Sequence, residues 1–305
     1  MRCECCAHVP LRRAGVQAVV GSRDPTIPTP EMRDTFEPQL RAKEALERRT
    51  DVKVMFTVFA GYHVLGAAWG VASSASLAAL LFSGVCLVAA LFGSDLFTGL
   101  LHIYLDHRRC DLGDPIDMVA YAFRYDHHAH PTNFLKHSPF FPAGSGETVL
   151  KVSGPISLVA HTLLWAAYRF TSVGSVVRWE LPFLVICTWM ASGTCCQATH
   201  ALAHEGIGGS RNKSLPGLVA FLQRSGLILS PRVHAAHHKG KHDRNFCIFN
   251  GWANPLLNLA CPAIFWAMRR LPGHFDELAV PAPPKPSAGK PHVRPPRPLA
   301  AAAGG

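Results

Sequence analysis

Residues 77–106 read LAALLFSGVCLVAALFGSDLFTGLLHIYLD. From Leu77 to Leu101 the run is long and apolar enough to cross a bilayer, which takes about 20 residues for a hydrocarbon core of about 30 Å. Its continuation, Gly99-Leu100-Leu101-His102-Ile103-Tyr104-Leu105-Asp106, sets His102 and Asp106 one helical turn apart on the same face. The carboxylate is a metal ligand in its own right or an outer group that orients a ligand histidine. A membrane helix that ends in an imidazole and a carboxylate frames the rest of the chain.

Three further stretches have the composition of spans. Val54–Ala72 precedes the first stretch, separated from it by Ser73, Ser74 and Ser76, and the two read as a tight helical hairpin. Leu181–Gln197 is continuous and apolar, whereas Ile156–Phe170 is shorter and needs help from its flanks. If all four cross, the N-terminal tail, residues 102–151 and everything after Thr199 share one face of the membrane. That face carries Arg41, Lys43, Arg48, Arg49, Lys53, Arg108, Arg109, Arg124, Lys136 and Lys151, against Arg169 and Arg178 on the other, which makes it cytosolic. Trp252–Leu271 is apolar but interrupted by Pro255 and Pro262, and reads as an interfacial helix pair, with a fifth crossing as the alternative.

The expected fold is therefore all-α: a polytopic membrane protein with about four transmembrane helices and a histidine-rich, cytosol-facing metal-binding cap. Residues 1–50 read as a flexible polar tail, 51–272 as the membrane domain and 273–305 as a Pro/Ala-rich disordered tail.

Composition removes several alternatives. Of 305 residues, 49% are apolar and the net charge is +10. The Lys and Arg residues are neither gathered on one amphipathic helix nor interleaved with aromatics, so nucleic acid is not the expected partner and anionic lipid head groups are. The ten cysteines fit no small disulfide scaffold; Cys86, Cys187, Cys195, Cys196 and Cys261 lie in apolar runs as small hydrophobes, and Cys3, Cys5 and Cys6 lack a spaced partner pair for zinc. The run after Met1 is broken by Glu4, His8, Pro10, Arg12 and Arg13, which is not the pattern of a secretory signal.

Histidine distribution carries the chemistry. His102 stands with Asp106; His127, His128 and His137 form a second cluster; His200 and His204 a third; His234, His237, His238 and His242 a fourth. Each lies at the water-facing end of an apolar stretch. Crowded imidazoles depress one another's protonation, so grouping them is costly without a metal. His200 and His204 are one turn apart, but a metalloprotease reading fails because Gly208 stands where His-Glu-x-x-His needs its second histidine. His237 and His238 diverge by about 100° on a helix, as do His127 and His128, and adjacent histidines pointing apart suit two metals better than one. A catalytic zinc needs only three protein ligands, so this set overshoots one zinc centre; a nitrogen-rich pair of irons uses it fully, with nickel or copper as alternatives. His63 and His161 sit singly within spans and read as satisfied core or interface histidines and not as ligands, and the spans carry almost no other ionisable residue.

At these clusters the chain resembles the Kua family of membrane lipid desaturases, which has an ether-lipid branch and a plastid branch. The matching stretches are Asp95-Leu96-Phe97-Thr98-Gly99-Leu100-Leu101-His102 with Asp106, His127-His128-Ala129-His130-Pro131-Thr132 through His137, His200 with His204, and Pro231-Arg232-Val233-His234-Ala235-Ala236-His237-His238 through Asn245-Phe246-Cys247-Ile248 and Gly251-Trp252. The sequence departs from the family at Ile103 and Leu202, where Trp is usual, and at His130, where the ether-lipid branch has an acidic residue.

The resemblance implies a diiron enzyme that uses O₂ and two external electrons to remove two hydrogens from a lipid chain. It assigns His102, His127, His128, His200, His204, His234, His237 and His238 to the irons, while His137 and His242 match the ether-lipid branch. The implied substrate is a plasmanyl ether phospholipid and the product a vinyl ether, with palmitate on phosphatidylglycerol as the alternative. Electrons would come from a cytochrome b5 or ferredoxin type of donor. The expected location is the endoplasmic reticulum, or else a plastid membrane. Arg108, Arg109, Lys136 or Lys239 would meet the lipid phosphate. The non-enzymatic alternative is a histidine-rich metal-binding membrane transporter, which is expected to carry more ionisable residues within its spans.

Overall fold

The structure, a computed structural model, describes residues 30–108, 110, 112–114, 116–129, 149–205, 217–239 and 242–270. It is helical, with no β-strand among the described residues. Among the described residues three helices are long and apolar enough to cross a membrane: α2 (Thr50–Ala72), α3 (Leu77–His107) and α6 (Glu180–His204). Around them lie α1 (Pro30–Glu47), α4 (Asp117–Ala122), α5 (Gly154–Phe170), α7 (Gly217–Arg224), α8 (Pro231–His237) and α9 (Asn254–Met268).

The serine turn between α2 and α3 forms as the sequence leads one to expect. Ser73 turns its hydroxyl back to Trp69 O, and Ser76 caps α3 by accepting from Ala79 N at 3.2 Å. Helices α2 and α6 pack closely because glycines face bulk. A methyl group on Gly66 would come within 2.6 Å of Cys187 Sγ, and one on Gly70 within 2.8 Å of Leu184 Cβ. With lipid outside, association rests on close backbone approach and van der Waals contact rather than on a hydrophobic drive, and the Gly66-x-x-x-Gly70 spacing supplies that approach. Gly93 on α3 is covered in the same way by Trp189 of α6. Outward faces are apolar: Leu65 and Leu158 are each 71% exposed, as expected of side chains that meet lipid.

Both α3 and α6 run toward the histidine end, so the chain between them must return. Arg178 Nη2 reaches Ser73 O at 3.4 Å, which places the start of α6 beside the α2–α3 turn at the far end. Helix α5 makes the return. It docks on α2 through Ser157 and His63 and has 17 residues, about 25 Å at 1.5 Å per residue. The stretch expected to be the fourth crossing thus forms a helix, but α5 is not among the three described helices that are long and apolar enough to cross.

His63 is a buried core histidine, as expected, and His161 lies half-buried beside it. His63 Nδ1 donates to Phe59 O at 2.8 Å and its Nε2 bonds Ser157 Oγ at 2.8 Å; His161 Nδ1 donates to Ser157 O. Within the region read as a polar tail, Pro30–Glu47 forms α1, whose Phe36 ring lies 5.0 Å from Tyr121. The stretch read as a proline-broken helix pair is one helix, α9. Pro255 sits in its first turn, where a missing N–H costs nothing, and the helix continues through Pro262.

Candidate metal centre

Among the described residues, four elements deliver ligands to the histidine end. The last turns of α3 bring His102 and Asp106, and those of α6 bring His200 and His204. A π-helical turn, Phe123–Ala129, carries His127 and His128; such widened turns are frequent at functional sites. Helix α8 brings His234 and His237, with His238 directly after it and His242 on the following loop.

The side chains sort into two four-membered groups, each with its ligand atoms within 4.8 Å of one another. His127, His200, His204 and His234 form the first and are all buried. His102, Asp106, His128 and His237 form the second. A third set, His128, His238 and His242, shares His128 with the second group. Adjacent histidines divide between sets. The rings of His127 and His128 stand at 83° and those of His237 and His238 at 79°, so each pair points into two different groups.

In the first group, His234 Nε2 lies 2.9 Å from His200 Nε2, 2.8 Å from His204 Nε2 and 3.1 Å from His238 Nε2. An imidazole nitrogen offers one N–H or one lone pair, so it cannot hydrogen-bond three neighbours at once. Nitrogens about 3 Å apart are what a shared ion with metal–nitrogen bonds of about 2.1 Å requires of neighbouring ligands. The donor set fits a metal ion better than it fits its own hydrogen bonding.

The second group turns on Asp106. Its Oδ1 lies 2.7 Å from His128 Nε2, and its Oδ2 lies 3.3 Å from His102 Nε2 and 3.4 Å from His237 Nε2. The far nitrogens are fixed by backbone: His102 Nδ1 donates to Phe246 O and His237 Nδ1 to Arg244 O, each at 2.8 Å. A carbonyl only accepts, so both rings carry their proton on Nδ1 and turn an Nε2 lone pair inward. Neither of those Nε2 atoms, nor Asp106 Oδ2, makes a hydrogen bond among the described residues. A carboxylate and three imidazoles, desolvated and aimed at one point, make a site for a divalent cation.

Electrostatics outside the spans agree. Burial, reinforced by neighbouring histidines, pushes His127, His234 and His238 well below the ordinary imidazole range. Burial lowers His128 as well, against the pull of Asp106, and lowers His242 to about 3. At neutral pH these rings present lone pairs, as metal ligation demands.

Nine of the ten histidines proposed as ligands from the sequence come together with Asp106; His137, like His130, lies outside the described residues. His107 turns away, its Nε2 bonding His242 O at 3.2 Å. Arg108 corrects the sequence reading. Its guanidinium is buried, paired with Asp114 and with Asp117 Oδ1 at 3.0 Å, and does not face lipid phosphate. Lys239 is exposed, and Arg109 and Lys136 lie outside the described residues. The sequence reading names Asp95 only within a matching stretch and gives it no role; it is a buried carboxylate inside α3 that accepts from the backbone N–H groups of Phe249, Asn250, Gly251 and Ala253. The available signal was a lone carboxylate in an apolar span.

Comparison with known proteins follows the same outline. Residues 91–270 match the family model described as a lipid desaturase domain. The chain is 31% identical over 175 residues to plasmanylethanolamine desaturase 1 of Mus musculus, covering 55% of this chain and 57% of that one. It is 42% identical over 72 residues to fatty acid desaturase 4, chloroplastic, of Arabidopsis thaliana, covering 23% of this chain and 21% of that one. It is 40% identical over 73 residues to a plasmanylethanolamine desaturase of Myxococcus xanthus, covering 22% and 26% respectively. The matched stretches thus span between about a fifth and just over half of these curated relatives. No solved structure matches.

Proposed function

The chain belongs to the lipid desaturase family, and from that premise we propose that it is a membrane diiron enzyme introducing the vinyl-ether double bond into plasmanyl phospholipids. The observation that carries the proposal is the pair of four-ligand groups, His127, His200, His204 and His234 beside His102, Asp106, His128 and His237, at one end of the bundle. Each group would hold one iron.

The reaction removes one hydrogen from each of two adjacent carbons beside the ether oxygen. With O₂, two electrons and two protons from outside, it gives the alkene and two molecules of water. Side-chain acids and bases cannot break an unactivated C–H bond, and the irons supply the oxidising chemistry when bound. The protein's share is to fix the imidazole lone pairs, keep the ligands desolvated and admit an alkyl chain from the leaflet. A site at the ends of α3 and α6 leaves a lipid head group at the membrane surface while its chain enters. Electrons come from a separate cytochrome b5 or ferredoxin type of donor, and the expected membrane is the endoplasmic reticulum. The working unit is residues 51–272.

Two observations favour the ether lipid. The relative matched over the longest stretch quoted is a plasmanylethanolamine desaturase, and His242, a position associated with the ether-lipid branch, stands with His128 and His238. The shorter match to fatty acid desaturase 4 supports a second reading, an acyl-chain desaturase acting on phosphatidylglycerol palmitate. Transport is disfavoured because the ligands gather at one end of the bundle instead of lining a path through it.

Lipid mass spectrometry of plasmalogen-deficient cells expressing the chain, beside a His237→Ala control, separates these readings. Vinyl-ether phospholipids restored by the chain and absent with the variant are the expected result. An iron-loaded protein that yields none, but desaturates the acyl chain of phosphatidylglycerol, moves the assignment to the second reading.

A further inference from the structure

A buried carboxylate within a membrane span is costly and calls for a compensating structure. Asp95 lies inside α3, two turns before His102, and is fully buried. Its Oδ1 accepts from Phe249 N, Asn250 N and Gly251 N at 3.2, 3.1 and 3.3 Å, and its Oδ2 from Ala253 N at 3.0 Å. Four converging backbone donors stabilise the carboxylate, and in return it fixes the turn that enters α9.

That turn closes a loop with a second duty. Arg244 O and Phe246 O accept the Nδ1 protons of His237 and His102, so one short segment sets the tautomer of two histidines that come from different helices. The loop is also held by Thr199 of α6, whose hydroxyl donates to Ile248 O at 2.7 Å, by Leu229 N, which donates to Phe249 O at 2.8 Å, and by α9. Asn258 Oδ1 accepts from Asn245 N at 2.8 Å, its Nδ2 donates to Asn245 Oδ1 at 3.1 Å, and Asn254 Oδ1 accepts from Cys247 N at 3.0 Å. Asn245 itself sits at φ 59°, a left-handed conformation that persists only where surroundings fix it.

We infer that Asp95 is a positioning residue for one half of the metal centre: through the loop 244–253 it holds His102 and His237 with their Nε2 lone pairs aimed at the ion bound beside Asp106. It touches no ligand of that ion itself. Both histidines it serves belong to the aspartate-containing group, so its loss acts on that group's ion before the one among His127, His200, His204 and His234. The inference rests on the two-metal reading above and deepens it.

The test uses the full chain in lipid nanodiscs, loaded with ferrous iron and challenged with a chelator. Iron per protein is counted by mass spectrometry, and Mössbauer spectra are recorded on ⁵⁷Fe-loaded samples. Asp95→Asn keeps an acceptor for three of the amides but turns an NH₂ toward Ala253 N. Asn258→Ala loosens the same loop from α9 and leaves α3 unchanged, covering the case in which the Asp95 variant does not fold. In each variant one of two ions is expected to be released about 10–100-fold more readily, the range for loss of a group that orients a ligand. The spectral signature of the other ion stays as in the wild type, which a general loosening of the fold would not produce. Both ions retained at wild-type rates, or both lost in parallel, overturns the inference. A wild-type protein that takes up no iron overturns the two-metal reading instead, so the two failures are distinct.

Discussion

His234 is the side chain on which the first ligand group turns. Its Nε2 stands within 3.1 Å of three other imidazole nitrogens, a density that no assignment of protons satisfies. If each group holds one iron as proposed, replacing it with Ala is expected to lower bound iron from two ions per chain toward one and to abolish desaturation, while the helical content of the protein persists. Metal analysis and circular dichroism on one preparation check this; a variant that keeps both ions counts against the group. His63 provides the contrast. Both of its nitrogens are bonded, to Phe59 O and Ser157 Oγ, and it lies outside the ligand groups. His63→Ala takes from Ser157 Oγ the nearer of its two imidazole partners, leaving His161 Nδ1 at 3.2 Å, and is expected to cost about 1 kcal/mol of stability with iron content unchanged. These two fates follow from the sequence pattern alone, since one histidine belongs to a cluster and the other is solitary. The role of Asp95 does not, because the atoms it holds are the backbone amides of a distant loop.

At the scale of helices, the contact between α2 and α6 depends on missing side chains. Leu184 Cβ lies 2.8 Å from where a Cβ on Gly70 would stand, and a Cβ cannot swing aside as the tip of a long side chain can. Gly70→Ala is therefore expected to part the helices and cost about 1–3 kcal/mol. Gly61→Ala, one face round on the same helix with nothing within 4 Å, should be neutral or slightly stabilising through helix propensity. Thermal unfolding of the two variants in one detergent decides the matter; equal shifts would show that the close approach carries no energy. The Gly66-x-x-x-Gly70 spacing is plain in the sequence, but the helix it faces is not, because periodicity along one helix contains no information about its neighbour.

For the molecule as a whole, the metal centre couples pH, metal and stability. Burial keeps His127, His128, His234, His238 and His242 below the ordinary imidazole value of about 6.5, with His242 at about 3. Above about pH 6.5 the folded and unfolded chains both hold these rings neutral, and they add no pH dependence. Below it the unfolded chain binds protons that the folded chain refuses, so the stability of the metal-free protein falls as pH drops from about 6.5 toward 3. Unfolding temperatures of the iron-free protein across that window test the sign; a rise on acidification would contradict the buried, neutral ligand set. Iron bound only by the folded chain adds stability by mass action, so chelation at pH 7 is expected to lower the unfolding temperature, and readdition of ferrous iron to restore it.

By itself the sequence determined the class of molecule and pointed to most of the side chains that the fold gathers into histidine groups. Apolar runs of span length, the serine turn and histidines at one-turn spacing are local patterns, and helix geometry converts them directly into membrane helices with ligands at their ends. The same helix geometry has neighbouring histidines diverge, which suits two metals better than one. The partition into two groups, by contrast, joins α3, the π-helical turn, α6 and α8, and only their packing decides which imidazole meets which. The burial of Arg108 against Asp117, and the hold of Asp95 on a loop 154 residues away, belong to the same class of fact. Such contacts depend on where distant segments come to rest. A buried charge takes whichever partner the packing places beside it, because inside the fold an unpaired one is too costly to keep.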